Sequence, residues 1–122
     1  MPFSISTALS ALVGVEHVYI LVLEMFLWTT PRGRKTFKLT PEFAQQSRPL
    51  AANMGLYNGF LAAGMFWGLS HPDPAFGRQI RLFFQSCITV AGIFGSATSS
   101  KRILYVQAIP AAVTLAATLL RI

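Results

Sequence analysis

Residues 5–28 read ISTALSALVGVEHVYILVLEMFLW, an almost wholly apolar run that contains the acidic residues Glu16 and Glu24 and the histidine His17. A hydrocarbon core needs about 20 predominantly apolar residues, so this run predicts a membrane-spanning helix. An ionisable side chain at the centre of a bilayer costs at least about 2.5–3.5 kcal/mol on insertion scales. Glu16, His17 and Glu24 are therefore the first candidate functional residues, including candidate catalytic residues.

The composition places the whole chain among membrane proteins. Of its 122 residues, 53% are hydrophobic and 11% are charged, whereas about 25% charged residues is usual in soluble domains. The net charge of +6 comes from Lys and Arg that stand between the apolar runs, without a basic face interleaved with aromatic residues. We therefore predict membrane lipids as partners and no binding of nucleic acid. The single cysteine, Cys87, excludes a disulfide within the chain.

Four apolar runs predict an all-α fold, an integral membrane four-helix bundle that forms one transmembrane domain over residues 1–122. The predicted spans are residues 5–28, 49–69, 80–98 and 103–120. In the long first loop, Thr40 and Pro41 form the N-cap and the first position of a predicted short interfacial helix. Pro49 is expected in the first turn of the second span, and Pro110 is expected to bend the fourth.

Basic residues are unequally divided between the two sides that four spans define. The ten Lys and Arg residues split into three and seven: Arg78, Arg81 and Arg121 against Arg32, Arg34, Lys35, Lys38, Arg48, Lys101 and Arg102. The more basic side faces the cytoplasm by the positive-inside rule. We therefore predict a multi-pass protein of the cell membrane with both termini outside the cytoplasm.

Polar residues recur at matching depths in the predicted spans. A rise of about 1.5 Å per residue puts Asn58 at the depth of Glu16, and Asn53 at the depth of Glu24. The predicted ligand-binding set is Glu16, His17, Glu24, Asn53, Tyr57, Asn58, Gln85 and Gln107. We expect its members to share one interior pocket. The alternative is that the amides and hydroxyls only join helices by hydrogen bonds, worth about 0.6 kcal/mol each.

The two acidic residues of the first span point in different directions. His17 and Glu24 are seven residues apart and point within about 20° of each other, whereas Glu16 is rotated by about 100° from His17. Adjacent residues cannot readily face one ion, so we predict no metal site. No cofactor follows from the pattern.

Glycine recurs at four-residue spacing in the second span, as in Gly55 and Gly59. Such pairs let helix backbones approach closely, either within the bundle or between two copies in a homo-oligomer. We expect Gly59 to lie at a close helix contact and Gly33 to lie in a solvated loop. Trp28, near the end of the first span, is expected in an interfacial aromatic belt.

Three stretches carry a resemblance to a known family. Residues 16–21 read EHVYIL, residues 23–33 read LEMFLWTTPRG and residues 52–60 read ANMGLYNGF. The chain resembles the small membrane-protein family filed as domain of unknown function 1304, with Met54 where the resemblance implies glutamine. The resemblance covers essentially the whole chain, and it implies a four-span protein without an established activity.

Three functions fit these features. The first is the binding of a small amphipathic or lipid-like molecule in a polar pocket between helices. The second is a membrane-embedded acid/base enzyme of the isomerase or cyclase type, in which Glu16 protonates an apolar substrate and His17 or Glu24 removes a proton. The third is a small proton-coupled exporter, against which the marked charge bias argues. We favour the first.

Overall fold

A computed structural model describes residues 3–122, and within this range the chain is all-helical without a β-strand. This confirms the all-α fold class. The five helices are α1 (Ile5–Met25), α2 (Pro31–Phe37), α3 (Pro41–Ser70), α4 (Pro74–Thr98) and α5 (Lys101–Leu119). Helix α5 contains a π-helical segment, Leu104–Ala108, which ends two residues before Pro110. The proline that was expected to bend this helix thus follows a local widening of it, because proline removes one hydrogen bond of the regular ladder.

Three of the described helices, α1, α4 and α5, are long enough and apolar enough to cross a membrane. Helix α3 contains the predicted second span and, with 30 residues, is long enough, but it is less apolar than the other three. Asn53, Asn58 and the glycines lower the hydropathy of this segment. Three of the four predicted spans are therefore present as apolar helices.

The first loop differs from its prediction. Thr40 is the N-cap of a helix, since its Oγ1 accepts a hydrogen bond from Phe43 N at 3.1 Å. That helix is not short, however, because α3 continues from Pro41 through Pro49 to Ser70. The helix-forming residues 42–48 carry the helix into the span, and an interior proline costs it one backbone hydrogen bond. The expected position of Pro49 in a first turn is therefore wrong.

The short helix of the first loop is α2 instead. Thr30 caps it by accepting a hydrogen bond from Gly33 N at 3.3 Å, and the residue after its last one, Lys38, is in the left-handed conformation. Trp28 is buried beside this helix rather than exposed at an interface. Its Nε1 donates to Ser47 Oγ at 2.9 Å, and its ring centroid lies 4.8 Å from that of Phe37.

The chain divides into two compact units. Unit 1 comprises the residues up to Gly14 together with Ala63–Ile122, and unit 2 comprises Val15–Ala62. Helices α1 and α3 each run through both units, α2 belongs to unit 2, and α4 and α5 belong to unit 1. The interpretation of one transmembrane domain stays a prediction.

Within unit 1, the beginning of α1 meets the end of the chain. The Ile5 N–H group donates to the Ile122 carbonyl oxygen at 2.8 Å. The start of α1 and the end of α5 therefore lie side by side. Helices α4 and α5 are also close to each other, since a Cβ atom on Gly92 would lie only 2.7 Å from backbone atoms of Ala108.

Candidate functional site

Unit 2 holds a buried pair of a carboxylate and an amide. Asn58 Nδ2 donates to Glu24 Oε1 at 2.6 Å, and Glu24 is only 6% exposed. The helices are close at this level, since a Cβ on Gly55 would come within 2.6 Å of Met25 Cγ. The sequence predicts Asn53 at the depth of Glu24. The residue that meets Glu24 is Asn58, five residues or about 7.5 Å further along α3, so the predicted alignment of the two helices in depth is wrong by that distance.

Glu16 and His17 form a looser pair in the same unit. His17 is fully buried, and its Nδ1 lies 3.8 Å from Glu16 Oε1, beyond hydrogen-bond distance. The Glu16 Oε1 atom is itself buried and has no hydrogen-bond partner within residues 3–122. Buried polar atoms are nearly always hydrogen-bonded, so this oxygen is an exception that needs an explanation.

The remaining predicted residues do not join these pairs. Asn53 is exposed and donates from Nδ2 to the Pro49 carbonyl oxygen of its own helix at 3.2 Å. Tyr57 is 60% exposed and its ring lies beside that of Phe60. Gln107 is half-buried in the π-helical segment of α5. Across residues 3–122, no three His, Cys, Asp or Glu side chains are grouped as metal ligands.

Unit 1 contains a second buried polar cluster, formed by Ser10, Arg81 and Gln85. Ser10 Oγ accepts a hydrogen bond from Arg81 Nη1 at 3.2 Å and another from Gln85 Nε2 at 3.0 Å. Arg81 is 7% exposed, and Ser10 and Gln85 are fully buried. The Gln85 Oε1 atom has no hydrogen-bond partner in the part of the chain that the structure describes. This cluster ties the first half of α1 to α4.

The sequence analysis identified Gln85 but missed Ser10 and Arg81, the other two members of this cluster. Arg81 was counted among the charges that flank the membrane, because the third span was predicted to begin at residue 80. Helix α4 begins at Pro74 instead, so Arg81 lies two turns inside it. The spacing of Arg81 and Gln85 was the available signal, since residues four apart share one face of a helix.

A cleft of about 280 Å³ opens beside this cluster, within unit 1. Its lining mixes apolar and polar groups and consists of Phe3, Thr7, Gly68, Leu69, His71, Pro74 and Arg81. Gly68 makes room for the arginine, because a Cβ at this position would lie 2.5 Å from Arg81 Cγ. The neighbouring Arg78 is engaged elsewhere, with its Nε donating to the Thr118 carbonyl oxygen at 3.2 Å. Arg81 is therefore the arginine that borders the cleft.

Comparison with known proteins adds a family and no activity. A family model described as "Protein of unknown function (DUF1304)" matches residues 11–119. The uncharacterized protein YpaA of Lactococcus lactis subsp. lactis (strain IL1403) is 32% identical over 101 residues, which cover 81% of this chain and 83% of that protein. No solved structure matches significantly. The matched range contains Glu16, His17, Glu24 and Asn58 of unit 2. From the cluster in unit 1 it contains Arg81 and Gln85 but not Ser10.

Proposed function

Because this chain belongs to the DUF1304 family of proteins of unknown function, we propose its role from its own side chains: it is a four-span membrane protein that binds a small amphipathic molecule from the bilayer. One observation carries this proposal. The buried cluster of Ser10, Arg81 and Gln85 lies between apolar helices and borders a cleft. Polar and charged groups are costly inside a membrane, and those that are retained there usually serve a function.

The contact between Ile5 and Ile122 supports four crossings. Three crossings would separate the two residues by the bilayer, whose hydrocarbon core is about 30 Å thick. Their backbone atoms are instead 2.8 Å apart. Helix α3, with 30 residues, exceeds the length that a crossing needs. An even number of crossings, with α3 as the fourth, fits this contact.

The size and lining of the cleft support an amphipathic ligand. Pockets that enclose a drug-sized molecule measure about 300–1,000 Å³, and this cleft, at about 280 Å³, suits the polar end of a ligand. Phe3 and Leu69 offer apolar contacts beside the polar side chains of Thr7 and Arg81. The apolar part of such a ligand would remain in the surrounding lipid, in contact with the exposed aromatic and aliphatic side chains of the helices.

We propose acid/base catalysis as a second candidate function, on the basis of Glu16. Its buried Oε1 atom has no hydrogen-bond partner within residues 3–122 and lies 3.8 Å from His17 Nδ1. A carboxyl group that is not held by other groups can give a proton to an apolar substrate, and an imidazole beside it can accept one. Chemical conversion of a bound molecule separates this function from binding alone.

We also propose that both termini lie outside the cytoplasm, and reporter fusions test this orientation. With Arg81 buried, the side of Ile5 and Ile122 keeps Arg78 and Arg121 against the seven basic residues of the other side, which strengthens the bias. A reporter fused at Ile122 should be active outside the cytoplasm, and one inserted near Lys38 should be active inside. A cytoplasmic reporter at Ile122 would contradict both the orientation and its charge argument.

Filling the cleft should remove the ligand. We expect an amphipathic molecule to be retained by wild-type protein purified in a mild detergent and to be detected by mass spectrometry. Thr7→Phe places a bulky ring at the cleft and should reduce its amount by about tenfold, equivalent to about 1.4 kcal/mol of affinity. Thr98→Phe, at an exposed position on α4, is the matched control and should retain it.

Two outcomes would contradict the binding proposal. One is that no amphipathic molecule accompanies the wild-type protein, and the other is that Thr7→Phe retains as much as Thr98→Phe. Incubation of the purified protein with the retained molecule addresses the second candidate. A product that forms with wild type and fails to form with Glu16→Gln would favour acid/base catalysis.

A further inference from the structure

We propose that the cleft of unit 1 recognises an anionic head group, a carboxylate or a phosphate, and that Arg81 is its counter-ion. This inference rests on the proposed binding of an amphipathic molecule and adds the charge of its polar end. It is carried by a guanidinium group that is buried, borders a cleft and has no carboxylate partner within residues 3–122.

The charge of Arg81 is not balanced within its own unit. Asp73 is the single acidic residue of unit 1, and its Oδ1 accepts a hydrogen bond from Ala75 N at 3.0 Å, which caps α4. No ion pair joins Arg81 to any carboxylate in the described chain. Buried charges in proteins are paired because transferring an isolated charge out of water is costly. A ligand anion at the cleft would supply the missing pair.

The hydrogen bonds of Arg81 leave donors for such a ligand. A guanidinium group carries five N–H donors in a planar fork. Ser10 Oγ accepts one of them, and Arg81 makes no other hydrogen bond within residues 3–122. Carboxylate and phosphate groups match the remaining fork, since they accept two parallel N–H bonds from arginine. The preference is therefore for an oxyanion rather than for a neutral polar head group.

The surroundings hold Arg81 in this position. Gln85 Nε2 donates to the same Ser10 oxygen at 3.0 Å, so Ser10 is fixed by α4 from two successive turns. Gly68 leaves the space that the arginine stem occupies, as a Cβ there would lie 2.5 Å from Arg81 Cγ. Ser10, Gln85 and Gly68 are accordingly positioning residues, and Arg81 contacts the ligand.

His71 extends the polar part of the lining. Its Nδ1 lies 3.0 Å from Asp73 N and 3.2 Å from the Asp73 carbonyl oxygen, so the tautomer of the ring decides whether Nδ1 accepts or donates there. Among the described residues, the lining of the cleft contains an arginine and no carboxylate, which disfavours a cationic head group.

The test compares head groups on one chain length. The purified wild-type protein in a neutral detergent is titrated with dodecanoate, dodecyl phosphate, dodecanol and inorganic phosphate at neutral pH, with binding followed by calorimetry. Dodecanoate and dodecyl phosphate should bind at least about tenfold more tightly than dodecanol, since hydrogen bonds to charged groups are the stronger ones. Arg81→Gln should remove that preference, whereas Arg121→Gln, which removes an equal charge at an exposed position, should keep it.

Three results would contradict these proposals, and they distinguish a failure of the anionic head group from a failure of amphiphile binding. Equal affinities for dodecanol and dodecanoate would overturn the anionic head group and leave the proposed amphiphile binding intact. Inorganic phosphate that binds as tightly as dodecyl phosphate would overturn the lipid-like ligand and with it the proposed function. The absence of binding of every probe to folded wild-type protein would overturn both. The wild-type comparison decides these cases even where Arg81→Gln fails to fold.

Discussion

Gly33→Ala should destabilise the protein by about 3 kcal/mol, at the upper end of what overpacking costs. A Cβ atom at Gly33 would overlap the Leu27 carbonyl oxygen and lie 2.9 Å from the Trp28 carbonyl oxygen. Both atoms belong to the backbone, so they cannot move aside by rotation of a side chain. The first turn of α2 would have to separate from the turn that follows α1, and the burial of Trp28 beside Phe37 would be lost with it.

Gly59→Ala is the matched comparison and should cost less than about 1 kcal/mol. A Cβ at Gly59 would lie 2.6 Å from Leu21 Cδ1, which is the end of a flexible side chain. The alanine also gains helix propensity of about 0.5–1 kcal/mol, which offsets the displacement of the leucine. Unfolding of the two variants in mild detergent measures the difference. Equal stabilities would mean that α2 does not pack against the backbone of Leu27 and Trp28 as described.

A larger loss of stability for Gly33→Ala than for Gly59→Ala would reverse the expectation from the sequence, in which Gly59 lies at a close helix contact and Gly33 in a solvated loop. The reason is that the short helix α2 cannot be recognised from the sequence pattern. Long apolar runs in the sequence predict α1, α4 and α5. In lipid an apolar segment must form its backbone hydrogen bonds internally, and a helix does so. Helix α2 has seven residues and no hydrophobic period, so no pattern placed Gly33 inside a helix. The Thr30-Pro31 pair is the same start signal that was recognised at Thr40-Pro41.

The site was predictable only in part. Amide and acidic residues in apolar runs are conspicuous, and Glu24, Asn58 and Gln85 indeed make hydrogen bonds between helices. Depth does not determine which face of a helix a residue occupies, and Asn53 accordingly turns outward. Arg81 was missed because its role depends on where α4 begins, and helix boundaries are poorly fixed by composition near a loop.

Asn58→Leu should lower the free energy of unfolding by about 2 kcal/mol or more, because it leaves a buried carboxyl oxygen without its hydrogen bond. Asn58 Nδ2 donates to Glu24 Oε1 at 2.6 Å, and Glu24 is almost fully buried. The two residues join α1 to α3 next to the close approach at Gly55. Chemical unfolding in detergent, compared with wild type, measures the loss.

The double variant Glu24→Met/Asn58→Leu separates a structural from a functional role for this pair. Replacing both partners by apolar groups of similar size is nearly neutral when a hydrogen bond only joins two helices. We therefore expect the double variant to recover most of the stability that Asn58→Leu loses, and to retain the co-purifying amphiphile, since the proposed ligand binds in the cleft of unit 1. Restored stability with a lost amphiphile would instead assign the binding site to Glu24 and Asn58. Glu24 would then be a buried, hydrogen-bonded carboxylate that is costly in a membrane, is not needed for folding and is retained for ligand binding. The cleft beside Arg81 would no longer be the proposed binding site.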